Sequence, residues 1–251
     1  MPEKVLLEVK NIYKWYEKLC ALKDVSFKLH EGEVLGLIGD NGAGKSTLIK
    51  IISGTISPDR GEIYWEGKKV EDYSIKKARS LGIETAFQDK SLIDYFNVSQ
   101  NLFLSRGITK PFLGIFKRLD YKKMHEESRK VLNRLGLGNI SPTQEVRFCS
   151  GGEKQGVVIS RTIYFKSKLV ILDEPTRALS VAAVRQVQEF IRQLKREKIA
   201  CIFITHNLYH VYSVADRFVV LTKGVKTLEK RREDTTIKEL EDAIIGVGME
   251  N

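Results

Sequence analysis

Long apolar runs are missing from this sequence. Stretches such as Leu169–Leu172 and Ile199–Ile204 fall far short of the roughly 20 residues a membrane-spanning helix needs. The opening MPEKVLLEVK alternates acids and bases and offers no apolar signal core. The expectation is a chain that stays in the cytosol. Cysteine is sparse too: Cys20, Cys149 and Cys201 are scattered, with no CxxC pair. That argues against a disulfide framework, fits a reducing compartment, and leaves the three as small buried hydrophobes. No internal repeat or low-complexity tract appears. The net charge is +10 and the pI near 9.4, yet the bases are interleaved with acids. The densest cluster, Lys230-Arg231-Arg232, runs straight into Glu233 and Asp234. It reads as solvated surface, and no aromatic-basic stripe suggests a platform for nucleic acid bases.

What remains is ordinary for a globular protein. The 251 residues are 42% hydrophobic and 29% charged, enough for a sizeable core. Strand-like alternation marks Leu6–Val9, Asp24–Leu29, Val34–Ile38 and Gly61–Trp65. Between 89 and 165 helical periodicity takes over, as in Tyr121–Leu135, ended by Gly136-Leu137-Gly138. Strands then return at Leu169–Leu172, Ile199–Thr205 and Phe218–Leu221, with an amphipathic helix at Val181–Glu197. Strands alternating with helices predict an α/β fold with a mostly parallel sheet. An antiparallel portion precedes it, and a helical insert over 89–165 interrupts the core formed by 1–88 and 166–251. Thr236-Ile237-Lys238-Glu239 has capping-box spacing and predicts a short terminal helix.

Two stretches carry chemistry. Gly39-Asp40-Asn41-Gly42-Ala43-Gly44-Lys45-Ser46-Thr47 fits the P-loop pattern between an apolar strand and a helix. Its glycines let backbone N–H groups turn inward around phosphates, and the helix adds its N-terminal partial charge. Lys45 reaches the terminal phosphates and Ser46 can ligate Mg²⁺. The apolar run Leu169–Leu172 ends in Asp173 and Glu174. The first acid suits the metal of a P-loop site, and the second can face a water beyond the γ-phosphate. The pair argues for hydrolysis.

A third stretch, FCSGGEKQG over 148–156, is a second anion-binding turn: the Ser150 hydroxyl, Gly151, Gly152 and a helix start. One subunit does not need two cradles for one nucleotide. The second makes sense if it serves a nucleotide held by another copy.

With these motifs the sequence resembles the ATP-binding subunits of ABC transporters, in order and over nearly its whole length. The resemblance implies a P-loop NTPase fold that uses ATP and Mg²⁺. It implies that Tyr16 stacks on adenine, that Gly39–Thr47 is the Walker A loop, and that Gln88 touches Mg²⁺ and faces the permease. By it Cys149–Glu153 is the signature, Asp173 and Glu174 the Walker B acid and the catalytic glutamate, Ala178-Leu179-Ser180 the D-loop, and His206 the switch histidine. Catalysis would fall to Glu174, His206 and Lys45, and metal binding to Ser46, Gln88 and Asp173. The nearer resemblance is to simple-sugar importers, through Asp173–Val181, Gly82–Gln88, Ser99–Leu104 and Ile244–Gly248. It implies a head-to-tail dimer on the cytoplasmic face of the membrane, working with a permease and indirectly with an extracytoplasmic solute-binding protein. Importers of another small solute such as an amino acid, a nucleic-acid- or ribosome-associated ATPase, and a non-hydrolytic nucleotide-binding module are the alternatives. Four residues depart from the pattern: Cys149 for leucine, Glu153 for glutamine, Gly156 for a basic or small helix former, and Ser180 for the D-loop aspartate. Glu153 brings a negative charge to a turn expected to meet phosphate.

Overall fold

The computed structural model describes residues 4–86, 92–112 and 116–246. The chain opens with a long antiparallel pair, β1 (Val5–Tyr16) and β2 (Leu19–His30), followed by β3 (Val34–Ile38) and α1 (Lys45–Ile52). Next come β4 (Arg60–Trp65), β5 (Lys68–Lys69), α2 (Ile75–Leu81) and β6 (Ile83–Ala86). The middle holds α3 (Val98–Leu102), a hairpin of β7 (Thr109–Phe112) and β8 (Phe116–Leu119), α4 (Tyr121–Arg134) and α5 (Gly151–Tyr164). The last part holds β9 (Leu169–Asp173), α6 (Val181–Arg196), β10 (Ala200–Thr205), α7 (Leu208–Tyr212), β11 (Arg217–Thr222), β12 (Val225–Arg231) and α8 (Ile237–Ile245).

Two compact units result. The first takes 1–88, 167–177 and 191–251, and the second takes 89–166 and 178–190. In the first unit a six-stranded sheet runs β12-β11-β3-β10-β9-β6. Its strands are parallel except for β12 at the edge. β3 and β10 are buried at every position, which is why both read as unbroken apolar runs: helices and a second sheet leave neither face to water. That second sheet is antiparallel, in the order β2-β1-β4-β5. One core joins both sheets, with Leu7, Ile12, Leu29, Leu37, Ile49, Trp65, Ile171, Ile202 and Leu221 all deeply buried in it.

The second unit packs α3, α4 and α5 together. Leu102, Phe103 and Met124 form its small core, against Ile108, Tyr164 and Phe165, with Phe103 meeting both aromatic neighbours edge-on. α4 buries Met124, Ser128, Val131 and Leu132, close to the stripe its periodicity predicts.

The structure adds elements that periodicity did not reveal. α2 is only 7 residues long, too short to show a period, although Ser74 accepts a hydrogen bond from the Lys77 N–H and Gly82 closes the helix in a left-handed conformation. The β7–β8 hairpin lies inside the stretch expected to be helical. Its strands are 4 residues each and bury no face, so no apolar alternation marks them. β12 is an edge strand with no fully buried residue, and it hid for the same reason.

Candidate active site

The loop from β3 to α1 is fixed by its glycines. Gly39 sits at φ 149°, and a Cβ there would come 2.2 Å from the Leu221 carbonyl oxygen. Gly44 sits at φ 100°, where a Cβ would lie 2.7 Å from the Ala21 carbonyl oxygen. Both positions need the left-handed region and a close backbone approach at once. The turn after β11 braces the loop: the Gly224 N–H donates to the Ala43 carbonyl (3.1 Å), and the Gly224 carbonyl accepts from the Lys23 N–H (2.8 Å).

Gly44 caps α1 without a side chain, and the first turn of α1 contains no acid. Its leading N–H groups are therefore not satisfied by a capping carboxylate, which is the condition for an anion to take them. Lys45 is buried. Its Nζ donates to the carbonyls of Gly39 (2.6 Å) and Asp40 (2.9 Å). Burial pushes its ammonium below the ordinary lysine range, against the opposing pull of the Glu174, Asp173 and Asp40 carboxylates. A cation held in this way gains from meeting a polyanion.

Tyr16, Asn41–Thr47, Asp173 and Glu174 line one open cleft of about 520 Å³, together with Leu19, Cys20, Ala21 and Lys223. β3 and β9 flank β10, so the phosphate loop and the acid pair emerge at the same end of parallel strands, where α/β sheets bind ligands. Ser46 and Asp173 supply hard oxygen donors on this cleft, the donor type Mg²⁺ takes alongside phosphate and water. Lys223, in the left-handed turn before β12, also lines the cleft, and no motif pointed to it.

Glu174 lies just past β9 in the left-handed region, at φ 50°, a costly conformation for a residue other than glycine and one that clusters at functional sites. Its N–H donates to the Ile204 carbonyl (3.0 Å). One carboxylate oxygen accepts from the Thr205 hydroxyl (3.1 Å) and the other from the His206 N–H (3.1 Å). The second oxygen also pairs with His206 Nδ1 at 2.8 Å. The Glu174 side chain is 11% exposed and that of His206 54%: the carboxylate is pinned while the ring reaches solvent. The sequence suggested both residues, but not that they bond to each other. Behind them His210 Nδ1 lies 3.1 Å from the Thr176 hydroxyl and its Nε2 lies 3.4 Å from Asn207 Nδ2.

Ser150, Gly151 and Gly152 belong to the second unit and begin α5. The turn carries a full capping box: Ser150 Oγ accepts from the Glu153 N–H (3.3 Å), and the Glu153 carboxylate accepts from the Ser150 N–H (2.8 Å). Asn139 also donates to Glu153, at 3.1 Å. These bonds hold the Glu153 carboxyl below its usual range, the Ser150 N–H first among them. The charge feared at this turn is thus drawn into the helix start. The two glycines are not bare. A Cβ at Gly151 would lie 2.4 Å from the Leu179 side chain, and one at Gly152 2.4 Å from the Gln186 side chain. Gly156 is explained by packing: a Cβ there would meet Leu137 at 2.3 Å and the Phe190 ring at 3.0 Å. Ser180 replaces an acid but keeps a capping role, its hydroxyl accepting from the Ala183 N–H (3.3 Å). Cys149 is buried, and burial pushes its thiol up. Gln88 lies outside the described residues.

A larger cleft of about 820 Å³ lies beside β2, β11 and β12. Its charges largely answer one another, as where Arg217 grips Glu33 through Nε (2.7 Å) and Nη2 (3.0 Å). Chemistry, not volume, selects the phosphate-loop cleft.

Comparison with known proteins agrees with this geometry. The family model described as "ABC transporter" matches residues 22–177. The xylose/arabinose import ATP-binding protein of Sulfolobus acidocaldarius is 44% identical over 97% of this chain and 95% of its own length. The fructose import ATP-binding protein of Rhizobium meliloti is 41% identical over 95% of this chain and 93% of its own. The ribose import ATP-binding protein of Clostridium tetani is 38% identical over the whole chain, which matches 49% of that protein. Among solved structures, a nucleotide-free ATP-binding cassette from an ABC transporter superposes with a TM-score of 0.82 at 26% identity, covering 97% of this chain and 99% of its own. By phosphate loop, acid pair, fold and relatives, the chain belongs to the ABC transporter family as an ATP-binding cassette.

Proposed function

We propose that this chain binds and hydrolyses ATP to power an importer of simple sugars, as one of two ATP-binding subunits beneath a membrane permease. The sugar class rests on what the relatives named above import. The observation that carries hydrolysis is Glu174, bonded to His206, on the cleft that also holds Lys45.

In this reading the α1 N-terminus and Lys45 hold the β- and γ-phosphates, and Tyr16, half exposed at the end of β1, stacks on the base. Ser46 and Asp173 hold Mg²⁺, with Gln88 as a further ligand; the metal supplies neutralisation of phosphate charge. Glu174, fixed by Thr205 and His206, orients the attacking water and accepts its proton. With Nδ1–H given to Glu174, His206 would donate Nε2–H to a γ-phosphate oxygen as the imidazolium, in which both ring nitrogens are donors. The Ser150–Gly152 turn completes the site of a second copy arranged head to tail. Its remaining donors are the Ser150 hydroxyl and the N–H groups of Gly151 and Gly152, since the Ser150 N–H is given to Glu153. ATP favours the closed pair because contacts from both copies form only there. Closure is passed to the permease through the second unit and the segment containing Gln88. The subunit sits peripherally on the cytoplasmic face; among the described residues no helix is long and apolar enough to cross a membrane.

Phosphate release by the purified chain tests this reading. Hydrolysis of ATP, with turnover falling by roughly 10²–10⁴-fold in Glu174→Gln while ATP still binds, supports it. Undiminished turnover in that variant removes Glu174 from its role.

A further inference from the structure

The β7–β8 hairpin serves none of the roles above. Its register pairs Lys110 with Arg118 and Phe112 with Phe116. Residues two apart share a face, so one face carries two cations directly opposed and two rings directly opposed. Like charges across a strand pair cost folding energy. Lys110 finds one carboxylate, Asp120, at 3.3 Å, and Arg118 lies 5.0 Å from the centre of the Phe112 ring. The other face presents Lys117 and Leu119. The rings stay open, Phe112 at 41% and Phe116 at 61% exposure, as do Leu119 and Tyr121.

Charge is lopsided here. Residues 109–123 hold Lys110, Lys117, Arg118, Lys122 and Lys123 against Asp120 alone. Asp120 is already engaged, capping α4 at the Lys123 N–H. The exposed Lys117, Lys122 and Lys123 have no ion-pair partner among the described residues. An exposed two-stranded element with cations and rings on one face is poorly supported by its own protein. It matches a surface that offers anions and an apolar layer together: cations meet lipid phosphates while rings settle at headgroup level.

We infer that the surface formed by residues 109–112 and 116–123, the β7–β8 pair and the start of α4, is a contact for an anionic lipid bilayer, a second hold on the membrane besides the permease. The inference deepens the reading of the chain as a subunit working at a membrane, and it does not depend on ATP hydrolysis. The occupant is lipid because exposed cations and exposed rings sit together on one small open element, Phe112, Phe116 and Arg118 on one face and Lys117 on the other. A nucleic acid would satisfy the cations but calls for a groove that tracks a backbone.

Flotation of the purified full chain tests it, with vesicles of phosphatidylcholine alone or mixed with phosphatidylglycerol. Binding should require phosphatidylglycerol and weaken with salt. Lys117→Glu with Arg118→Glu should lower it by roughly tenfold or more, and Phe112→Ser with Phe116→Ser should also lower it. Lys117→Arg with Arg118→Lys should keep it. Reversal of two exposed lysines in the other unit, Lys76→Glu with Lys77→Glu, should leave it in place. Phosphate release, measured on the same preparations, should be unchanged in the hairpin variants. The inference is overturned if the chain fails to float with phosphatidylglycerol, if the Lys76/Lys77 reversal costs as much as the hairpin reversal, or if an oligonucleotide but no vesicle is lost with the hairpin charges. A chain that floats but releases no phosphate would instead count against the ATPase reading alone.

Discussion

Glu174 combines three features rarely joined in one residue: a left-handed backbone at φ 50°, a nearly buried carboxylate and a histidine on one of its oxygens. His206→Ala would remove that histidine, and turnover should fall while equilibrium ATP binding, measured with a fluorescent analogue, changes little. Gly44→Ala tests the backbone instead. Its φ of 100° and the 2.7 Å approach to the Ala21 carbonyl leave no relief, so loss of nucleotide binding and destabilisation by more than about 1 kcal/mol are expected in denaturant titration. Glu153→Gln keeps an acceptor for the Ser150 N–H but removes the charge, and ATP-dependent dimerisation, followed by size-exclusion chromatography, should strengthen several-fold. The motif residues were legible because phosphate chemistry prescribes residue type and spacing. The Glu174–His206 bond was not, because it joins neighbouring strands, β9 and β10, whose register sequence spacing does not reveal. The capping box at Ser150 and Glu153 was legible in principle, as a Ser-x-x-Glu spacing.

At the element scale, α7 provides a pH test. His210 lies with Nε2 near the Asn207 amide, a natural donor, and Nδ1 near the Thr176 hydroxyl, an arrangement suited to a neutral ring. Burial lowers its pKa below the ordinary 6.5, more than the Glu174 carboxylate restores. The unfolded chain then binds more protons than the folded one just below pH 6.5, so His210 costs stability as pH falls through that window and none above it. Thermal unfolding of His210→Gln should show a shallower loss of Tm on acidification than the parent. The elements themselves were readable where burial stamped a pattern on the sequence, an unbroken apolar run in β3 and β10 and a helical period in α4. The edge strand β12 and the β7–β8 hairpin left no stamp, because their side chains largely meet water.

The whole-molecule claim is that two copies share each nucleotide. Lys45→Ala disables a phosphate loop, and Ser150→Arg disables the opposing turn. Neither variant alone should release phosphate above a small residue. A mixture should recover, because a mixed head-to-tail pair has both lesions in one site and an intact second site. Absence of recovery, with each variant folded by circular dichroism, would exclude the shared arrangement.

The sequence by itself determined the phosphate loop, the acid pair, the order of the motifs and the alternating α/β core. Each of these is written in local residue type or in the period that burial imposes along the chain. Tertiary structure alone decided that Glu174 leans on Thr205 and His206, that Gly39 and Gly44 answer to the Leu221 and Ala21 carbonyls, and that Gly156 yields to Phe190. It also set two cations and two aromatic residues opposite one another in the β7–β8 pairing. These are contacts made by register and packing, and pairwise distance across strands and helices is not encoded in any local stretch.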